Sequence, residues 1–233
     1  MSPDTADASS LRPTPAQLLG DHVVEQLRTA ILRGHFPQGS HLREADLATR
    51  LSVSRGPIRV ALSSLEQEGL VRSRPHRGVL VTQLTARDVE EIYGLRRVLE
   101  VLAVEQAVGK ATPADFAEMH RVLADLEGAW DKADLVEVSH LDVAFHDLLY
   151  RAAGHSRLYK AWQNLRSQVT LFLVSRNTLA PTDREIVIDE HAEIVASLAA
   201  GDAERTRRLI EAHLEGAYER LRTSLPASSS EED

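Results

Sequence analysis

Apolar residues recur every three to four positions along most of this chain, and the pattern departs from that period only once. Over residues 16–34 the stripe Leu19, Val23, Leu27 and Ile31 predicts a helix, with Gly34 placed to end it. Phe36-Pro37-Gln38-Gly39 reads as a turn. A short helix over 44–51 points Leu47, Ala48 and Leu51 inward, and Ser52-Val53-Ser54 interrupts it. The next helix, 55–68, buries Ile58, Leu62 and Leu65 and closes at Gly69. Residues 70–82 then carry a strand pattern folded around Pro75-His76-Arg77-Gly78, a β-hairpin.

After Thr82 every segment is helical in period. Thr85 caps a helix reaching about residue 108, with Asp88 in its first turn, and Thr112-Pro113 opens another to about 130. Further helices fit 133–152, 156–176, 183–200 and 202–224, with Gly154 and Gly201 as stops and Thr182 with Glu185 as a capping box. Three short helices and a hairpin describe a winged helix-turn-helix, and six helices without strands describe a bundle. The expected organisation is a mainly α chain: a polar, disordered tail over 1–14, the winged helix over 15–82, the all-α unit over 83–225, and a second tail over 226–233.

Composition narrows the function. The 233 residues hold no cysteine, which excludes disulfides and thiolate metal sites and suits a reducing, cytoplasmic setting. The N-terminus has no apolar signal-peptide core, and no apolar run reaches membrane-spanning length, so no membrane partner is expected. Net charge is -8, yet it is unevenly spread. Residues 1–82 carry ten arginines, no lysine and eight acids, whereas the rest carries 17 basic residues against 27 acidic ones. Arginine makes forked contacts with phosphate and guanine, so this asymmetry points to a DNA-contacting unit joined to an acidic partner unit.

The third helix supports that reading. Ser54 stands where it caps the helix, leaving backbone N–H groups for phosphate. Arg55 and Arg59 share one face, opposite Ile58, Leu62 and Leu65. The run LREADLATRLSVSRGPIRVALSSLEQEGLVRSRPHRGVLV, residues 42–81, resembles the DNA-binding domain of the GntR family of bacterial regulators. The resemblance implies that Ser54, Arg55 and Arg59 contact the major groove of a palindromic operator, and that His76, Arg77 and Gly78 form the wing tip. Gly56 stands where the family usually has a threonine, and Ala45 where its fatty-acid-responsive member has a contacting arginine.

In the second unit, Asp142 and His146 lie four residues apart, in line with Leu135, Val138 and Leu149. His191 aligns with Val187, Ile194 and Leu198, and His213 with Leu209, Ile210 and Ala217. Four potential ligands thus face inward from three helices, where unpaired polar groups are costly. One buried metal would satisfy all four; ordinary hydrogen-bonded core histidines and an Asp142–His146 pair are the alternative. Nitrogen-rich ligation disfavours calcium and magnesium and leaves one divalent transition metal: zinc, nickel or manganese.

LDVAFHDLLYRAAGHSRL (141–158), DEHAEIVASLAAGD (189–202) and EAHLEGA (211–217) resemble the FCD ligand-binding domain of the FadR subfamily. That resemblance implies an Asp and three His around a metal whose coordination a carboxylate effector completes, and it argues against an acyl-CoA ligand. By the same resemblance Arg96 pairs with the effector, a small organic or sugar acid, unless it only forms a salt bridge. Ser167 and Asn177 are further effector candidates, on or just after the helix lining the same cavity.

The expected function is a repressor, not an enzyme, acting as a homodimer. The apolar set Ile92, Leu95, Leu99 and Leu102 exceeds what one face of a monomeric bundle needs. A metalloenzyme and a purely architectural DNA-binding dimer are the competing readings.

Overall fold

The computed structural model describes residues 15–74, 78–179 and 184–224. Both expected tails, and the Thr182 end of the expected capping box, lie outside the described residues.

The first unit runs α1 (Pro15–Leu32), β1 (His41–Leu42), α2 (Glu44–Leu51), α3 (Arg55–Gln67), β2 (Val71–Arg74) and β3 (Gly78–Val81). Helix α1 crosses α3, burying Val23, Leu27 and Ile31 with Ile58, Leu62 and Leu65. Leu19 is 41% exposed, contrary to the expected stripe. It lies a turn before Val23, at the end of α1 where the neighbouring Gly20 meets the exposed Val60 of α3. The hairpin pairs Arg74 with Gly78, and β3 also pairs with β1, giving the antiparallel order β1-β3-β2. The two-residue β1 has no pattern of its own to read and is recruited by β3.

The second unit comprises α4 (Ala86–Ala107), α5 (Pro113–Asp131), α6 (Leu135–Ala152), α7 (Ser156–Leu179), α8 (Arg184–Ala199) and α9 (Ala203–Ser224). Capping boxes start two of them: Thr85 with Asp88, and Thr112 with Asp115. Helix α6 is central, packed against α4, α5 and α7, while α8 and α9 pair and close over α5 and α4. No helix among the described residues is long and apolar enough to cross a membrane.

The two units share a continuous seam. One buried apolar cluster runs from Val23 and Leu65 through Leu84 to Val143, Trp162 and Phe172. Polar ties cross it as well: Ser167 donates to Glu68 (3.2 Å) and Gln38 donates to Ser175 (2.6 Å). Gly69 serves the seam twice. Its φ of +73°, which favours glycine, ends α3, and the missing side chain leaves room for Gln168 of α7, whose Cδ would lie 2.7 Å from a Cβ there.

Candidate functional site

Helices α6, α8 and α9 bring Asp142, His146, His191 and His213 together. The ligating atoms of all four lie within 4.8 Å of one another. Donors about 2.1 Å from a common ion span at most about 4.2 Å, so small side-chain rotations close this set on a metal. The three histidines are buried, and so is most of Asp142.

Their hydrogen bonds suit them to ligation. In each ring Nδ1 faces an acceptor: Glu100 for His146, the carbonyl of Val187 for His191, and Glu190 (2.6 Å) for His213. A neutral imidazole that donates from Nδ1 leaves a lone pair on Nε2. These lone pairs meet: His191 Nε2 lies 3.4 Å from His146 Nε2, and 3.5 Å from Asp142 Oδ1. Two ring acceptors at that distance have no proton between them, and a cation satisfies both, as in the carboxylate–histidine–metal arrangement. Electrostatics agree. Burial pushes His191 down to about 4, with His213 adding to the effect, and burial followed by the Arg96 charge holds His146 well below its ordinary value. Burial alone would raise Asp142, but the three imidazoles and Arg96 outweigh it and hold the carboxyl below its usual range. Asp142, His146 and His191 are thereby held in the deprotonated forms that a metal requires at neutral pH.

Arg96 is buried on α4 one turn before Glu100, to which its Nε donates (3.0 Å). Its guanidinium carbon lies 5.5 Å from the Tyr93 ring centre and 5.6 Å from that of Trp162. The Nη2 of Arg96 is buried without a hydrogen-bond partner among the described residues, so one end of the fork is held and the other is not. Asn177, buried on α7, donates to Ser139 (2.8 Å), one turn before Asp142. Ser167 is not brought to the cluster. It lies three turns earlier on α7, about 15 Å along the axis, and bonds Glu68 of the winged helix instead.

At the other end of the molecule Ser54, Arg55 and Arg59 are exposed together at the start of α3. Ser54 does occupy the N-cap position, but its hydroxyl makes no capping bond, which corrects the expectation that it caps the helix. Its backbone (φ −72°, ψ 166°) is as extended as that of the capping Thr85 and Thr112, so the difference lies in the rotation of its own hydroxyl. Arg59 donates to Glu44 of α2 (2.8 Å), a contact that spans the helix-turn-helix. Gly78 opens β3 at φ +75°, whereas His76 and Arg77 lie outside the described residues.

Comparison with known proteins matches residues 91–216 to the FCD domain and residues 19–81 to the bacterial regulatory proteins of the gntR family. The chain belongs to the GntR family. The HTH-type transcriptional regulator YdhC of Bacillus subtilis (strain 168) is 31% identical to this regulator, over 91% of this chain and 93% of that protein. The gluconate operon transcriptional repressor of Bacillus licheniformis is 30% identical, over 78% and 76%. A crystal structure of a GntR regulator from Rhodococcus sp. RHA1 superposes with a TM-score of 0.80 at 28% identity, covering 89% of this chain and 99% of that one. These relatives are regulators of transcription rather than enzymes.

Three residues that support the cluster of this GntR-family regulator were not foreseen from sequence: Glu100, Glu190 and Arg176. Glu100 had a signal, a carboxylate four residues after Arg96 on a buried helix face. Glu190 adjoins His191 but meets His213, a pairing that only the packing of α8 on α9 creates. Arg176, buried on α7, acts electrostatically on both Tyr93 and Asp142.

Proposed function

We propose that this GntR-family regulator is a repressor that binds a palindromic operator as a homodimer. A small organic or sugar acid, bound at a divalent metal in the FCD domain, controls that binding. Asp142, His146, His191 and His213 would hold the ion, which supplies a Lewis-acidic position for a carboxylate oxygen. The convergence of imidazole Nε2 atoms, each ring locked through its Nδ1, carries this reading. The donor set supports it as well: three imidazoles and one carboxylate leave one or two positions of a divalent ion open to a further oxygen ligand.

Arg96 would orient that acid through its unpartnered Nη2, with Asn177 beside the same cluster. Two relatives are named for sugar operons: the gluconate repressor above, and a probable D-xylose utilization operon repressor of Paenarthrobacter nicotinovorans, 28% identical. These names favour a sugar acid. At the DNA end, Arg55 and Arg59 would enter the major groove from α3 while Ser54 meets phosphate, and the hairpin bearing His76, Arg77 and Gly78 would serve as the wing. Such a regulator works beside the chromosome, in the cytoplasm.

The test has two arms on the full chain. Elemental analysis of protein purified without chelator should find about one zinc, nickel or manganese per chain. His191→Ala should lose that metal and the effector response while keeping operator affinity within about threefold. Arg59→Ala should do the reverse, weakening operator binding about tenfold to a hundredfold at fixed salt, as loss of a forked base contact does. A wild-type chain that carries no metal and takes none up would overturn the metal reading. Unchanged operator affinity in Arg59→Ala would remove that residue from the interface.

A further inference from the structure

Helix α3 turns one large apolar side chain to the outside. Val60 is 62% exposed, next to Arg59 in sequence, whereas the exposed apolar residues of α4 form a stripe of their own. Valine is a poor choice for an exposed helix position on local grounds, because its branched side chain loses freedom against the preceding turn. The methyl groups therefore call for an explanation outside the helix.

Their placement supplies one. A helix lying in the major groove presents base-reading positions at spacings of three, four and seven residues. On α3 that set is Gly56, Arg59, Val60 and Ser63, and all four are exposed, while Ile58, Ala61, Leu62 and Leu65 are buried on the other face. Arg59 leans to the flank, donating to Glu44 of α2 (2.8 Å), which leaves the middle of the exposed face to Val60. At Gly56, one turn earlier, a Cβ would meet only Ser54 Oγ, at 3.9 Å, so the approach from the start of the helix is open. Helical side chains lean toward the N-terminus, so Val60 extends over that bare turn. On its other side α1 backs it: a Cβ at Gly20 would stand 4.0 Å from Val60 Cγ1.

We propose that Val60 is a specificity-determining residue that packs on the C5-methyl group of a thymine, at the base pair next to the guanine that Arg59 reads. This inference rests on the operator reading given above and deepens it. The thymine methyl is the apolar group that the base pairs present in the major groove, and it is the natural partner of an exposed valine set beside arginines. Consecutive Cα atoms are about 3.8 Å apart and consecutive base pairs about 3.4 Å, so Arg59 and Val60 address neighbouring pairs.

The experiment uses the full chain and an operator duplex that the wild-type chain selects from a random-sequence library. Each symmetric pair of thymines is then replaced by uracil, which removes the C5-methyl and nothing else. At one such pair the wild-type affinity should fall about tenfold to twentyfold at fixed salt, the product of about threefold to fivefold for each methyl. Val60→Ser should lose as much on the thymine operator, and its affinity for the uracil operator should lie within about twofold of that, because both changes remove one contact. Serine and valine have similar helix propensity and the position is exposed, so the variant keeps α3 intact. Equal uracil penalties in wild type and Val60→Ser overturn the contact, as does the lack of any thymine pair whose replacement weakens the wild type. A Val60→Ser chain whose oligomeric state changes by light scattering also overturns it, by placing Val60 in a protein interface. Arg59→Ala separates the two readings. If it leaves operator affinity unchanged, α3 does not read the operator and both assignments fall. If it weakens binding while the uracil penalties stay equal, the Val60 contact falls alone.

Discussion

Glu100 occupies a demanding position, a fully buried carboxylate that accepts from Arg96 and from His146 at once. Removing its charge would leave the Arg96 guanidinium uncompensated, which costs about 3–5 kcal/mol when one partner of a buried pair is lost. It would also release the Nδ1 proton that orients His146. We therefore expect Glu100→Gln to weaken metal binding about tenfold to a hundredfold and to lower unfolding stability, read by competitive metal titration and denaturant melts. Metal affinity equal to wild type would remove Glu100 from the site. The gathering of Asp142, His146, His191 and His213 was legible in the sequence because each sits in line with the apolar positions of its own helix. Glu100 and Glu190 were not, since their significance lies in which ring of another helix they meet. Ser167 was misjudged for a related reason: helical period tells which face a residue is on, not which neighbour that face touches three turns away.

Helix α4 is doubly used, and its two uses occupy different faces. Ile92, Tyr93, Arg96 and Glu100 are buried within the chain. Leu95 (49%), Val98 (65%) and Leu102 (38%) form an exposed apolar stripe at spacings of three and four. Of the four residues expected to serve assembly, Leu95 and Leu102 are available, whereas Ile92 is buried and Leu99 packs on the core. Val98, the most exposed of the stripe, completes it. We expect Val98→Glu to convert a homodimer into monomers at micromolar concentration by light scattering, and to cost at least tenfold in operator affinity. A variant that stays dimeric would place the interface elsewhere. At this scale most helix ends were legible because caps or glycines mark them. The strand β1 was not, because two residues show no alternation and pair only once β3 is there.

For the whole molecule the question is how a ligand beneath α4 and α6 alters the hold of α3 on DNA. Two helices reach both ends: in α7, Arg176 and Asn177 adjoin the cluster while Ser167, Gln168 and Ser175 meet the winged helix, and in α4, Arg96 and Glu100 adjoin the cluster while Asp88 accepts from Arg72 of β2 (3.2 Å). The expectation of two units with separate cores did not anticipate this seam, since a sequence pattern shows that a face is apolar but not that two units share it. Allosteric coupling between two sites is typically about 1–3 kcal/mol. Two hydrogen bonds of about 0.5–1.5 kcal/mol each are large enough to carry much of it. The double variant Ser167→Ala and Ser175→Ala removes both ties and leaves the Arg28–Glu68 ion pair intact within the winged helix. We expect operator affinity without effector, and effector affinity without operator, to stay within about threefold of wild type. The factor by which effector changes operator affinity should fall toward one. Linkage requires the operator to lose its influence on effector affinity by the same factor, so the two titrations check each other. If both factors keep their wild-type value, the signal travels through the apolar part of the seam, around Leu84 and Phe172, or through the Arg72–Asp88 pair, and not through these hydroxyls.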